Sequence, residues 1–350
     1  MFQLGSNVKF TLFGSSHGPY VGCILEGIPG DMPVDSDAIF KYMTLRKPQT
    51  GIGTKRREAD IPEFVSGIRD GKTDGTPIII RIANKDARSS DYSEYTYKPR
   101  PGHADLPASA KRMDLAGGGV FSGRMTAAIV AGGSVARQFA KQSGIEISAY
   151  TKSIGNVVDL EERNFKESVA SESYATRACT ALYDRNMRIE IENAADLGDS
   201  VGGVTECIVT GLPVGFGGIW FESLDSEIAR AMFSIPACKG TEFGQGFKLA
   251  RKKGSESNDQ YYYNNGVKTM TNNMGGIVGG MSNGAPMVFR SVFKPTPSIA
   301  RLQSTVDLRT NESTNIRVDG RHDPCIVPRV AVVVESMTAL VLADQMQRGF

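Results

Sequence analysis

Apolar positions along this chain fall into two kinds of segment. Short β-branched runs bounded by Gly or Pro, namely Gly22 to Leu25, Pro77 to Ile82, Val204 to Val209 and Pro286 to Val292, have the length and flanks of strands. Four other segments have helical spacing. Ser36 to Leu45 and Asp225 to Phe233 follow Asp and Ser residues able to cap them, while Ser122 to Gln142 and Arg329 to Gln347 carry long apolar stripes. Pro328 suits a first-turn position ahead of the last. Gly-x-Pro turns lead into strands and regular helical crossovers are missing, so antiparallel sheets are expected rather than a doubly wound parallel one. The expected fold class is α+β, a layered sandwich of two antiparallel sheets with helices outside.

A repeat organises these elements. Gly67, Ile68, Gly71, Gly75, Pro77, Arg81 and Lys85 recur at one constant offset as Gly276, Ile277, Gly280, Gly284, Pro286, Arg290 and Lys294. Gly27-Ile28-Pro29 with Val34-Asp35-Ser36-Asp37 also resembles Gly211-Leu212-Pro213 with Leu224-Asp225-Ser226-Glu227. One domain over 1–350 is therefore expected, built of related halves at about 1–145 and 190–350. The more polar stretch 146–189 reads as a peripheral connector.

Composition narrows the class. Cys23, Cys179, Cys207, Cys238 and Cys325 are scattered, odd in number and without a CxxC pair, which reads as a reduced, cytosolic protein without structural zinc. The opening residues Met1 to Gly5 show no basic region followed by an apolar run, and no run reaches the ~18 apolar residues that span a bilayer, so neither secretion nor membrane insertion is expected. The net charge of +2 conceals two basic clusters, Arg46-Lys47 with Lys55-Arg56-Arg57, and Arg251-Lys252-Lys253. They flank Gly-rich loops, which favours a small polyanionic ligand over nucleic acid.

The candidate chemistry lies in loops. The chain has three histidines, each in a motif crowded with Gly, Ser, Arg or Asp: Gly14-Ser15-Ser16-His17-Gly18, Arg100-Pro101-Gly102-His103-Ala104-Asp105 and Gly320-Arg321-His322-Asp323-Pro324. Imidazole titrates near neutrality, so catalysis is the natural reading. The stretch Asn84 to Ala116 lacks periodicity but holds Asp86, Arg88, Asp91, Tyr92, Arg100, His103 and Asp105, as expected of an ordered loop lining a site. Gly117-Gly118-Gly119 before Ser122 and Arg124 would suit an anion. Neither a P-loop nor a dinucleotide fingerprint is present. Further dense segments are Asp199 to Gly203, Ser234 to Glu242, Thr271 to Gly276 and Lys294 to Ser298.

Taken together, these segments resemble the chorismate synthase family nearly end to end. Three blocks carry the likeness: Gly14 through Pro29, Gly119 through Ser134 with Ser122-Gly123-Arg124-Met125-Thr126 at its centre, and Arg321 through Glu335. Asn84-Lys85-Asp86-Ala87-Arg88, the His103 block and Lys239-Gly240 agree as well. The resemblance implies a 1,4-anti elimination of phosphate from 5-enolpyruvylshikimate 3-phosphate, giving chorismate with reduced FMN and no net redox change. It also implies a cytoplasmic homotetramer, and either NADPH-driven reduction of its own flavin or, favoured by the short chain, an external flavin reductase.

By the same resemblance His103 protonates the departing phosphate, His17 beside Ser16 serves the flavin near N1 and O2, and Asp323 stands by N5 and assists hydrogen removal. Ser16, Arg46, Arg100, Arg124 and Arg321 would hold the substrate's carboxylates and phosphate. Lys294, Thr296 and Ser298 would hold the flavin phosphate, with Ser122, Ala237, Gly279 and Arg321 also against the flavin. His322 is expected to be structural. The chain departs from the family at Ser15, Val120, Phe121 and Met125. At Ile52 or Gly51 a second substrate arginine is missing, for which Lys55 or Arg56 would substitute. Crowded like charges predict loose loops at 47–55 and 84–100. Two other readings remain: a flavin- or phosphate-binding protein without chemistry, and a metal-dependent hydrolase using the histidines with Asp105 and Asp323.

Overall fold

The computed structural model describes residues 2–48, 52–53, 58–85, 94–113, 116–318 and 323–348. The first half contains β1 (Gln3–Leu4), β2 (Lys9–Gly14), β3 (Tyr20–Glu26), α1 (Ser36–Arg46), β4 (Glu63–Ser66), β5 (Ile68–Arg69), β6 (Lys72–Thr73), β7 (Ile78–Ala83), α2 (Asp105–Ala110) and α3 (Thr126–Gln142). There follow β8 (Glu146–Ile154), β9 (Val157–Val158), α4 (Phe165–Ala170), α5 (Ala181–Asp196), β10 (Gly203–Thr210), α6 (Leu224–Ser234), β11 (Cys238–Phe243) and α7 (Gly254–Ser257). The chain ends with β12 (Tyr261–Tyr263), β13 (Val267–Thr269), β14 (Ile277–Val278), β15 (Met281–Ser282), β16 (Met287–Phe293), β17 (Gln303–Asp307), β18 (Glu312–Ile316) and α8 (Val327–Met346).

Two five-stranded sheets form, ordered β1-β2-β3-β7-β4 and β11-β16-β10-β8-β9. Every pairing between named strands is antiparallel. Both sheets share an order of elements: an antiparallel pair (β2–β3 or β8–β10), a helix (α1 or α6), an edge strand (β4 or β11), a short hairpin (β5–β6 or β14–β15) and a return strand (β7 or β16), with β9, α4 and α5 inserted between β8 and β10 and α7, β12 and β13 after β11. The repeated arginines perform one task in each. Arg81 on β7 pairs with Glu63 on edge strand β4, and Arg290 on β16 pairs with Glu242 on edge strand β11.

The two long helices are not outside the sheets. α3 packs on β3 and β7 and against α8, and α8 packs on β8 and β10, so the two long helices fill the space between the sheets, with α1 and α6 beside them. Nearly all of α8 is buried, Glu335, Ser336, Thr338 and Asp344 included. A helix apolar around most of its circumference belongs inside rather than on a surface. Two adjacent glycines permit the close approach of α3. A Cβ on Gly132 would lie 2.7 Å from the Phe10 ring and 3.0 Å from Cys23 Sγ, and one on Gly133 would lie 2.4 Å from Ser336 Cβ.

The stretch 146–189 also differs from expectation. Its first nine residues form β8, an interior strand between β10 and β9. Several of its buried polar side chains are paired, as where Tyr150 donates to Glu206 Oε1 at 2.5 Å and Ser168 donates to Ser148 Oγ at 2.8 Å. Elsewhere the caps are as read: Asp35 accepts from Ala38 N, Ser223 from Ser226 N, and Pro328 sits in the first turn of α8. Among the described residues, no helix is long and apolar enough to cross a membrane.

Candidate active site

His17 occupies a tight turn after β2. Gly18 N donates to Ser15 O (3.2 Å) and to Ser15 Oγ (3.1 Å), so the serine standing where the family has an acid still closes the turn. His17 Nδ1 lies 3.1 Å from Ser16 Oγ, and fully buried Ser16 donates its backbone N–H to Gly119 O at 3.3 Å. Gly118 and Gly119 have φ of +85° and +50°, a backbone that favours glycine. Against that backbone lies His103: a Cβ on Gly118 would be 3.6 Å from its Cε1 and 3.7 Å from its Nε2, and also 3.7 Å from Ser122 Cβ. The two histidine motifs therefore flank one glycine segment. Ser122 turns the chain toward α3 by accepting from Arg124 N at 3.2 Å.

His103 is tethered by its own loop. Its Nδ1 lies 2.7 Å from Asp105 Oδ1, while Arg100 NH2 stands 3.2 and 3.4 Å from the two ring nitrogens, nearly equidistant and so facing the ring. Arg100 also donates from Nε to Asp105 Oδ2 (2.7 Å) and from NH1 to Ser298 Oγ (3.3 Å), and lies over the Tyr95 ring at 4.6 Å. Burial works against ionisation of Asp105, but hydrogen bonds from Arg100 and His103 outweigh it and hold the carboxyl well below its ordinary value.

A second cluster joins α1 to the segment before α3. Arg46 NH2 and Arg124 NH1 both donate to Asp60, an acid the sequence reading passed over, and all three are nearly inaccessible. Arg124 donates further to Asn84 Oδ1 (2.8 Å) and Ala83 O (3.1 Å), and Arg46 to Thr126 Oγ1 (3.3 Å). Burial pulls Arg46 down to about 10 despite Asp60. For Asp60, burial pushes upward, and the two guanidiniums prevail and lower it. Arg329 at the start of α8 extends the cluster, donating from Nε to Arg46 O at 3.0 Å and from NH1 to Asp323.

The remaining expected residues are distributed around these clusters. Thr296 Oγ1 donates to Asp323 O at 2.6 Å, and Lys294 Nζ donates to Gly102 O at 2.8 Å, beside His103. Burial and the neighbouring Lys239 both lower Lys294. Ala237, at φ +72°, accepts the Lys294 backbone N–H at 3.0 Å. Gly279 turns β14 into β15 and lines a pocket of about 370 Å³ with Trp220 and Ser223; among the described residues no hydrogen bond joins it to the histidine clusters. Arg321, His322, Gly51, Lys55 and Arg56 lie outside the described residues, as do parts of the loops 47–55 and 84–100. Ile52, one of the two positions where the substrate arginine is missing, is a core residue. Met125 is likewise buried, whereas Phe121 is exposed.

Known proteins are similar to this chain over nearly its whole length. The family model for chorismate synthase matches residues 8–347. The chain is 46% identical to the chorismate synthase of Pyrococcus abyssi, over 98% of this chain and 96% of that protein. It is 44% identical to that of Thermococcus gammatolerans, over 98% and 97%. A crystal structure of chorismate synthase superposes with a TM-score of 0.77 at 30% identity, covering 98% of this chain and 93% of the other. The chain belongs to the chorismate synthase family, a family of lyases.

Proposed function

We propose that this chain converts 5-enolpyruvylshikimate 3-phosphate into chorismate and phosphate by a 1,4-anti elimination that requires reduced FMN and involves no net redox change. The observation that carries this reading is the meeting of the His17 and His103 motifs on the Gly118–Gly119 backbone. A site that only bound phosphate would have no need of two imidazoles beside each other's loops.

The residues present suit a flavin phosphate. Lys294 and Lys239 crowd one another, and among the described residues neither has a carboxylate within ion-pair distance. A phosphate would supply the missing negative charge, with Thr296 and Ser298 hydroxyls nearby. Ser122, Ala237, Gly279 and Arg321 complete the proposed flavin contacts. A reduced flavin held there would supply transient electron density to the elimination.

The protein's own work is binding and proton handling. Asp105 fixes the His103 ring through Nδ1, leaving the other nitrogen to protonate the leaving phosphate, which lowers the barrier to C–O cleavage. His17, oriented by Ser16, serves the flavin edge near N1 and O2. Asp323, tied to Arg329, assists removal of the C6 hydrogen near N5. Arg46, Arg100, Arg124, Arg321 and Ser16 bind the substrate's anionic groups, with Asp60 setting the geometry of two of the guanidiniums.

We also propose a cytoplasmic homotetramer whose halves are related by duplication and whose flavin is reduced by an external reductase rather than by NADPH on the enzyme itself. The test is anaerobic incubation of the protein with 5-enolpyruvylshikimate 3-phosphate and chemically reduced FMN, following chorismate and phosphate. Equimolar appearance of both is expected. Absence of both from folded, flavin-saturated protein overturns the enzymatic reading and leaves a binding protein on the same scaffold.

A further inference from the structure

Asn84 follows β7 directly, and both polar atoms of its side chain are engaged. Its side-chain amide donates to Ser15 O (3.0 Å) and Gly18 O (2.7 Å), and its Oδ1 accepts from Arg124 Nε at 2.8 Å. Its backbone N–H donates to Pro19 O at 3.0 Å. A carboxamide offers two N–H donors and one acceptor oxygen, and here two carbonyls and a guanidinium take them in the only orientation their chemistry allows. The two carbonyls belong to the residues that close the His17 turn. The guanidinium is the one held by Asp60 and by Ala83 O.

The network therefore contains one side chain that reaches both the turn of His17 and the cation of Arg124. We infer that Asn84 is a positioning residue that sets the His17 turn relative to Arg124 and so holds the flavin side of the site in register with the substrate side. This rests on the proposed roles of His17 and Arg124. The chemistry makes the amide specific. An aspartate of nearly equal size would keep the acceptor for Arg124 but turn an oxygen toward the carbonyls of Ser15 and Gly18, where the two oxygens repel. An alanine would lose both ends.

The experiment compares Asn84→Asp and Asn84→Ala with the unaltered full-length enzyme under anaerobic conditions. Three quantities are measured: kcat and KM for 5-enolpyruvylshikimate 3-phosphate, thermal midpoint, and FMN affinity by flavin absorbance in the absence of substrate. For Asn84→Asp the expected result is a kcat lower by on the order of 10²-fold, the scale of an ångström's misplacement of a reacting group. Its KM should stay near that of the unaltered enzyme, because Arg124 keeps its acceptor, and its FMN affinity should weaken. Asn84→Ala should lose kcat and raise KM together. Unaltered kcat and FMN affinity in folded Asn84→Asp overturn the inference, as does a loss confined to the thermal midpoint in both variants. If the unaltered enzyme itself forms no chorismate, the proposed function fails. FMN affinity then decides the inference alone: weakening in Asn84→Asp sustains it and no change overturns it.

Discussion

Arg100 meets Asp105 side-on, with Nε 2.7 Å from Oδ2 and NH2 2.9 Å from Oδ1, and both side chains are almost wholly buried. The pair is bidentate, and its carboxylate also accepts from His103, so one acid anchors both the guanidinium proposed to bind substrate and the imidazole proposed to give the proton. Asp105→Asn removes the negative charge while keeping the shape. Leaving a buried guanidinium without its partner is expected to cost about 3–5 kcal/mol of stability, read from denaturant midpoints at pH 7. The sign of the pH dependence follows from the depressed carboxyl. Its contribution is full above the unfolded value of about 3.9 and is lost as pH falls from there toward the lower folded value. The Asn variant should therefore show a shallower acid decline below about pH 4 than the unaltered protein; parallel curves would refute the assignment.

The contact of Gly133 with Ser336 sets how near α3 lies to α8. Gly133→Ala forces a methyl into space taken by Ser336 Cβ, Cα and O, and overpacking of this kind costs typically about 1–3 kcal/mol. Adding Ser336→Gly should recover only part of the loss, because backbone atoms of residue 336 also crowd the position. Thermal unfolding of the single and double variants checks this, and a neutral single variant would mean that the helices separate freely.

Lys294 is proposed to hold the flavin phosphate rather than the ring. Lys294→Met is expected to weaken FMN binding by about 1.5–3 kcal/mol, the worth of a hydrogen bond to a charged group, while leaving riboflavin binding almost unchanged. Titration with the two flavins separates these outcomes. Equal losses for both would assign the lysine to the isoalloxazine or to the fold.

The site was legible where chemistry and local sequence coincide. His17, His103, Asp105 and the Gly118–Gly119 segment declare themselves by dense Gly, Ser, Arg and Asp within a few residues, and the structure gathers their blocks. Asp60 gave no such signal. It is one of several acids that follow a basic run, and its partners Arg46 and Arg124 lie 14 and 64 positions away, so only the folded chain brings them together. The repeat of Arg81 and Arg290 was visible, but its purpose, a cross-strand pair with an edge-strand glutamate in each sheet, depends on strand order. The inner position of α3 and α8 is not legible from an apolar stripe alone, because a stripe does not tell a surface helix from one such as α8, whose burial runs around nearly its whole circumference. β8 was hidden by Tyr150, Thr151, Lys152 and Ser153, polar residues whose place in a buried strand depends on partners such as Glu206. α4 and α5 carried readable caps, Asn164 with Glu167 and Thr180 with Tyr183 N, within the stretch taken as a connector.

The claim on which the mechanism turns is that the His103 imidazole delivers a proton to the departing phosphate. The direct measurement is the anaerobic rate of phosphate release by His103→Ala beside the unaltered enzyme, both saturated with reduced FMN. A fall of roughly 10²- to 10⁴-fold with FMN affinity retained is predicted. Equal rates of release would contradict the account.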